Sequence, residues 1–278
     1  MSKKAKKREI GQCGLCQAPN VPLCKSHIIP KAIAKWAKSK AGEEGRKAFW
    51  DINNRRLIQD FHSIPMLCEC CDNVRFGQRE NKFVRNIFKP YQDQQQTNFT
   101  YDEWLRYYAV SEGWRLLHHL LDLIASGSME GLKDKLLKHL RSSHTRNVYE
   151  TWRDYLLDNQ PDPATEQYIY FFNHHYRLPG VNWCGPYALE ARYGKLVDAK
   201  SIFGDDRFAL ISQTYGILLV CAVTPPEWPE LKGAEIEPLG TLTISTHGRP
   251  PELLTSWIHR RMQELQEYMD KTRPKGIP

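Results

Sequence analysis

The sequence predicts an α+β fold in three sections, and three observations carry that prediction. Two cysteine pairs at x2 spacing, Cys13/Cys16 and Cys68/Cys71, bracket a first section with few large aliphatic residues of its own. Aromatic and aliphatic residues then recur every three or four positions from 103 to 157, the spacing of packed helices. From Gln167 onward, β-branched and aromatic runs such as "QYIYFF" and "ILLVCAVT" have the texture of strands.

The first section is argued from its cysteines. A CxxC pair forms a tight knuckle that aims two sulfurs at one point, and two knuckles complete a tetrahedral Zn(II) site. A structural zinc held by Cys13, Cys16, Cys68 and Cys71 is therefore expected, with Gly14 permitting the knuckle turn. Six of the eight cysteines lie within residues 13–71. The basic start "MSKKAKKREI" has no apolar core after it, so a cytoplasmic chain and metal rather than disulfides are expected. Cys24 and Cys70 read as small buried side chains, and Cys184 and Cys221 as core of the strand section. The zinc stands in for a core that this section cannot otherwise build.

Between the pairs, "SHIIP" at 26–30 reads as a strand end. A helix follows over Lys31–Lys40, with Ile33, Trp36 and Ala37 at helical spacing and Lys31, Lys35 and Lys38 around them. The stretch "FWDINNRRLIQDFHSIPMLCECC" mixes strand alternation with turn residues. A helix is expected from about Asp72, carrying Phe76, Glu80, Phe83, Val84 and Ile87, and stopping before Pro90. The polar "YQDQQQTNFT" reads as a connector, dividing a unit at 1–92 from an accessory unit at 93–278.

The second unit opens with one long helix over "YDEWLRYYAVSEGWRLLHHLLDLIASG". Its stripe of Trp104, Tyr108, Ser111, Trp114 and Arg115 reads as core, or as the interface between the two units. Two further helices, "MEGLKDKLLKHLRS" and "VYETWRDYLLD", precede the strands. His118-His119 and His174-His175 read as structural. A final amphipathic helix is expected from Pro251 to about Met269.

Charge and motif together bear on function. The net charge is +7, and Lys3, Lys4, Lys6, Lys7 and Arg8 form a basic tail suited to a polyanion. No apolar run reaches the length of a membrane span. Two knuckles on one zinc would bring His27 opposite the helix that begins at Asp72. An imidazole can take a proton from water near neutral pH. A hard cation held by oxygens can stabilise charge on a phosphate and its leaving oxygen.

These residues resemble the HNH group, the His-Me finger or ββα-metal endonucleases, in their zinc-knuckle-bearing bacterial form. The resemblance rests on Cys13–Cys16, on Ser26-His27-Ile28-Ile29-Pro30, and on Leu67-Cys68 through Cys71-Asp72-Asn73. It continues loosely through "RENKFVRNIFKP" and "YYAVSEGWRLL", and does not extend to the remainder of the chain. It implies an N-terminal HNH module and a phosphodiester hydrolase acting on nucleic acid, DNA before RNA, in bacterial antiviral defence. His27 matches the general base, Asp72 a ligand of the catalytic Mg(II) or Mn(II), and Asn73 the asparagine that often follows.

The departure is Ser26, where the family commonly has an Asp or His that binds the catalytic cation. Glu80 is the candidate replacement, two helical turns beyond Asn73 on the same face, roughly 10 Å at 1.5 Å per residue. Asp51 and Asp60 are the other acids in range. Lys31, Lys35, Arg55 and Arg56 are the expected phosphate contacts. Residues 93–278 are left for a protein partner. The competing reading is a catalytically silent zinc module that binds nucleic acid or a protein.

Overall fold

The computed structural model of the protein describes residues 8–40, 49–51, 56–58, 63–128, 134–171, 184–190, 208–224, 228 and 231–244. Lys3, Lys4, Lys6, Lys7, Arg55, Asp60, His174 and His175 lie outside the described residues, as does the helix expected from Pro251. The side chains of Asp51, Arg56 and Cys184 lie outside them too.

Strand β1 (Ile10–Gly11) pairs antiparallel with β2 (Val21–His27). After β2 the chain makes α1 (Lys31–Lys40) and an antiparallel ribbon of β3 (Phe49–Asp51) and β4 (Arg56–Ile58). It then returns as β5 (Ser63–Cys68), which lies antiparallel beside β2, with His27 opposite Ser63 and Leu23 opposite Cys68. The sheet order is β1-β2-β5. The helix α1 forms as its spacing predicts, burying Ile33, Ala34 and Ala37 and exposing Lys31 and Lys35.

The helix after the second cysteine pair is one unbroken run of four segments. A π-helical turn, Cys70–Phe76, leads into α2 (Gly77–Phe83). A second π-helical turn, Val84–Phe88, leads into α3 (Lys89–Gln94). Pro90 lies in the first turn of α3, so the predicted stop before it does not occur. A helical proline ordinarily clashes with the carbonyl four residues back. Here that carbonyl belongs to a π turn, where the Lys89 N–H already reaches Val84 five residues back, and the ladder is wide enough for the ring. The run ends at Gln95, which takes the left-handed conformation.

Strand β6 (Asn98–Tyr101) precedes α4 (Glu103–Ala125). The Asp102 carboxylate caps α4 by accepting from the Trp104 N–H at 3.0 Å. Every residue from Tyr107 to Leu117 is buried, so the middle of α4 is a central helix with no solvent face. Helices α5 (Asp134–Leu140) and α6 (Ser143–Leu156) follow, α6 capped by Ser142.

The strand section forms an antiparallel sheet of β7 (Gln167–Phe171), β8 (Cys184–Glu190), β9 (Phe208–Thr214) and β10 (Ile217–Thr224), in the order β7-β10-β9-β8. The hairpin β9–β10 turns on Tyr215 and Gly216, both at positive φ, where glycine costs nothing. Strand β11 (Gly240–Thr243) pairs back onto β6.

Two apolar clusters hold these layers together. The first joins Cys13, Leu15, Ile28, Met66 and Phe76 to Trp114, Trp152, Phe208 and Cys221. The second joins Ile29, Ile33, Phe83 and Phe88 to Tyr108, Ile169, Tyr215 and Ile217. Both clusters draw on residues from either side of position 92. The α4 stripe of Trp104, Tyr108, Ser111, Trp114 and Arg115 is buried throughout, and Cys221 is core as read from sequence. Among the described residues no helix is long and apolar enough to cross a membrane.

Candidate functional site

The two CxxC pairs meet. The sulfurs of Cys13, Cys16, Cys68 and Cys71 all lie within 4.8 Å of one another. Cys16 and Cys68 are 3.9 Å apart, sulfur to sulfur. A tetrahedron of sulfurs about 2.3 Å from a central zinc has edges of about 3.8 Å, so the spacing fits. Four sulfur donors suit a soft tetrahedral ion such as zinc, and these cysteines can hold a structural metal.

The local chain makes this geometry. Cys13 accepts from the Cys68 N–H at 3.3 Å, and the Gly14 N–H donates to the Met66 carbonyl at 2.9 Å. Those two bonds lash the first knuckle to β5. A hydrogen bond from Cys71 holds the Cys13 thiol down, to about 4, and burial opposes this. The same partnership and burial push Cys71 up.

Gly14 is needed for a different reason than its turn. It has no positive φ; the left-handed residue of the knuckle is Gln17. A Cβ at Gly14 would lie 2.6 Å from His118 Nε2. His118 stacks on Trp114, lies nearly parallel to the Tyr149 ring and shares a hydrogen bond with its hydroxyl at 2.8 Å, and faces Asp122 at 3.4 Å. So α4 packs its aromatic stripe directly onto the knuckle. Cys24 is buried as expected, whereas Cys70, the first residue of the π-helical turn, is exposed and is not one of the four clustered sulfurs.

Beside the cysteines lies a cleft of about 740 Å³. His27, Asp72, Asn73 and Glu80 all line it, and so does Lys31. Thus residues from the end of β2 and from the helical run after the second knuckle share one space. Ile28 and Ile29 explain how His27 is held there. Each is 2 % exposed, and they enter different apolar clusters, Ile28 the first and Ile29 the second. Burying each contributes roughly 1.5–3 kcal/mol, so the chain leaving His27 is pinned on two sides.

Ser26 points the other way, as strand alternation requires. It is 1 % exposed and is not among the cleft-lining residues. An acid at this position would therefore not face the cleft. Among the described residues, the acids that do are Glu9, Asp72 and Glu80. Glu80 is 20 % exposed, with Oε1 at 2.7 Å from Arg115 Nη1. Burial raises the Glu80 carboxyl above its ordinary value, the Asp72 charge adds to the rise, and Arg115 opposes both. The interaction between Asp72 and Glu80 means that the π turn between them leaves the two carboxylates within electrostatic reach.

Basic side chains rim the cleft. Lys25, Lys31 and Arg8 line it, and Lys35 is exposed one helical turn beyond Lys31. Arg8 is also tied to Glu69 at 2.8 Å on the surface. Sequence reasoning missed Lys25, Asn81 and Arg115 as members of this site. Arg115 had a signal, since a cation inside an otherwise apolar helical stripe must find a buried acid. No family model, curated protein or solved structure matches this chain.

Proposed function

We propose that this protein is a metal-dependent endonuclease of the HNH type, hydrolysing phosphodiester bonds in nucleic acid, with DNA the favoured substrate. The observation that carries the reading is the meeting of His27 and Asp72 in one basic-rimmed cleft beside the four-cysteine cluster. A binding module has no need of that pair.

In this reading the His27 imidazole takes a proton from water, and the water oxygen attacks phosphorus. The P–O bond to the leaving oxygen breaks, and that oxygen is protonated by solvent. Asp72 and the neighbouring Asn73 offer oxygens on one side of the cleft, and Glu80 is a second acid within it. Such a donor set fits a hard divalent cation. Bound there, Mg(II) or Mn(II) would supply charge stabilisation at the phosphate and the leaving oxygen. Lys31, Lys35 and Lys25 hold the backbone phosphates on either side, with Arg55 and Arg56 assigned the same task.

The test is plasmid incubated with the purified protein and Mg(II) or Mn(II), beside His27→Ala. Wild type should nick or linearise the plasmid, and His27→Ala should leave it intact. A wild-type protein that binds duplex but leaves it whole with either ion would replace this reading with that of a binding module.

A further inference from the structure

Arg115 belongs to α4, far along the chain from both halves of the cleft, and yet it joins them. Its side chain is 1 % exposed. Nη1 donates to the main-chain carbonyl of His27 and also pairs with Glu80 Oε1 at 2.7 Å. Nε donates to the Ser111 carbonyl at 3.1 Å, which fixes the guanidinium to its own helix. The ring of Phe76 lies under Cζ at 5.2 Å. One nitrogen thus bridges the end of β2 and the helix that carries Asp72 and Glu80.

We propose that Arg115 is a positioning residue for the chemistry of this cleft, setting the distance between the strand end that carries His27 and the helix that carries Asp72 and Glu80. The inference rests on the nuclease reading above. Three physical points support it. Burial of an ion pair is by itself a poor source of stability, since an apolar pair of equal volume often does as well. A planar guanidinium with Nη1 on two acceptors and Nε on a third is a rigid spacer, which a flexible ammonium is not. His27 is the last residue of β2, in register with Ser63, so the Arg115 contact falls where the β2–β5 ladder gives way to the buried Ile28 and Ile29. A displacement of about 1 Å between reacting groups can cost on the order of 100-fold in rate.

The experiment uses the full chain with Arg115→Lys and Arg115→Gln. Cleavage of a labelled duplex is followed against duplex and Mn(II) concentration. Zinc content, Tm and amide hydrogen exchange over residues 24–29 are measured on the same samples. Arg115→Lys keeps a cation beside Glu80, so the fold and zinc content should stay as in wild type. Its kcat should fall by about tenfold or more with KM nearly unchanged, and exchange at 26–29 should quicken. Arg115→Gln should lose more of kcat than Arg115→Lys. Wild-type kcat in the lysine variant, a loss that merely tracks unfolding or zinc loss, or unchanged exchange at 26–29 would each overturn the proposal. A wild type that cleaves nothing would defeat the nuclease reading instead, and the exchange data would still decide whether Arg115 holds the strand end.

Discussion

His27 and Asp72 line the same cleft, and the roles assigned to them separate by metal dependence. His27→Ala should abolish cleavage at every Mn(II) concentration, because the lost step is proton removal from water. Asp72→Ala should lose it at low Mn(II) and regain part of it at high Mn(II), because the lost step is cation binding. A Mn(II) titration of both variants checks this; rescue of His27→Ala would reverse the assignment. Gly14 gives a second test at this scale. Gly14→Ala sets a methyl 2.6 Å from a histidine ring that can clear it only by giving up its stacking on Trp114 and its hydrogen bond with Tyr149. The substitution should cost about 1–3 kcal/mol in urea melts, the range of overpacked sites, with the φ of Gly14 playing no part. The gathering of the paired cysteines was legible because residue type and spacing state their chemistry, and His27 and Asp72 share one cleft as the two-knuckle frame leads one to expect. Arg115 and His118 were not, because their partners Glu80 and Gly14 are distant in sequence, and only the packing of α4 brings them close.

The helical run from Cys70 to Gln94 carries the second knuckle at one end and, along its length, Asp72 and Glu80 of the cleft. Its start is bound to the first knuckle through the sulfur cluster and β5. Cys71 is 3 % exposed and sits in the first apolar cluster with Cys13. Cys71→Ser should therefore release the metal and destabilise the chain by more than about 4 kcal/mol, the far end of single-substitution effects. Elemental analysis should give about one zinc per wild-type chain and none for the variant; a wild type without zinc would end the metal assignment. Helix α1, the long α4 and the β9–β10 strands were readable from periodicity, since burial of one face or of a whole strand leaves its mark on residue order. The continuation of the helix through Pro90 was hidden, because the π turn that admits the proline depends on packing of Val84, Ile87 and Phe88 rather than on any local signal. The exposure of Cys70 was hidden for a related reason: neither pairing choice nor helix phase is written in a CxCC sequence.

Across the whole molecule, charge gives two further expectations. Duplex binding should weaken steeply with salt, each phosphate met by Lys31, Lys35, Lys25 or another cation adding about −0.9 to the log–log slope. A titration from low to moderate salt measures it, and a flat response would point to a protein partner. The second expectation concerns Glu112, 2 % exposed in the middle of α4. Burial pushes its carboxyl up from 4.5 to about 7, against the Ser212 and Tyr108 hydroxyls and the Arg115 charge, while Glu80 adds to the rise. Between those values the folded chain keeps a proton that the unfolded chain has released, so stability falls as pH rises from about 4.5 to about 7. The effect is about 3 kcal/mol in total. Glu112→Gln should flatten the slope in urea melts taken from about pH 5 to about pH 8, and an equal slope in both proteins would remove Glu112 as its source. Finally, the first apolar cluster joins Cys13, Ile28 and Met66 with Phe208, Leu210 and Val223. That arrangement sets a timetable for synthesis. Both knuckles leave the ribosome early, yet the apolar partners of β2 and α4 follow on the order of ten seconds later at about 5–20 residues per second. A nascent chain can gather its four sulfurs in that interval, but the wall behind His27 is not built until residue 223 has emerged.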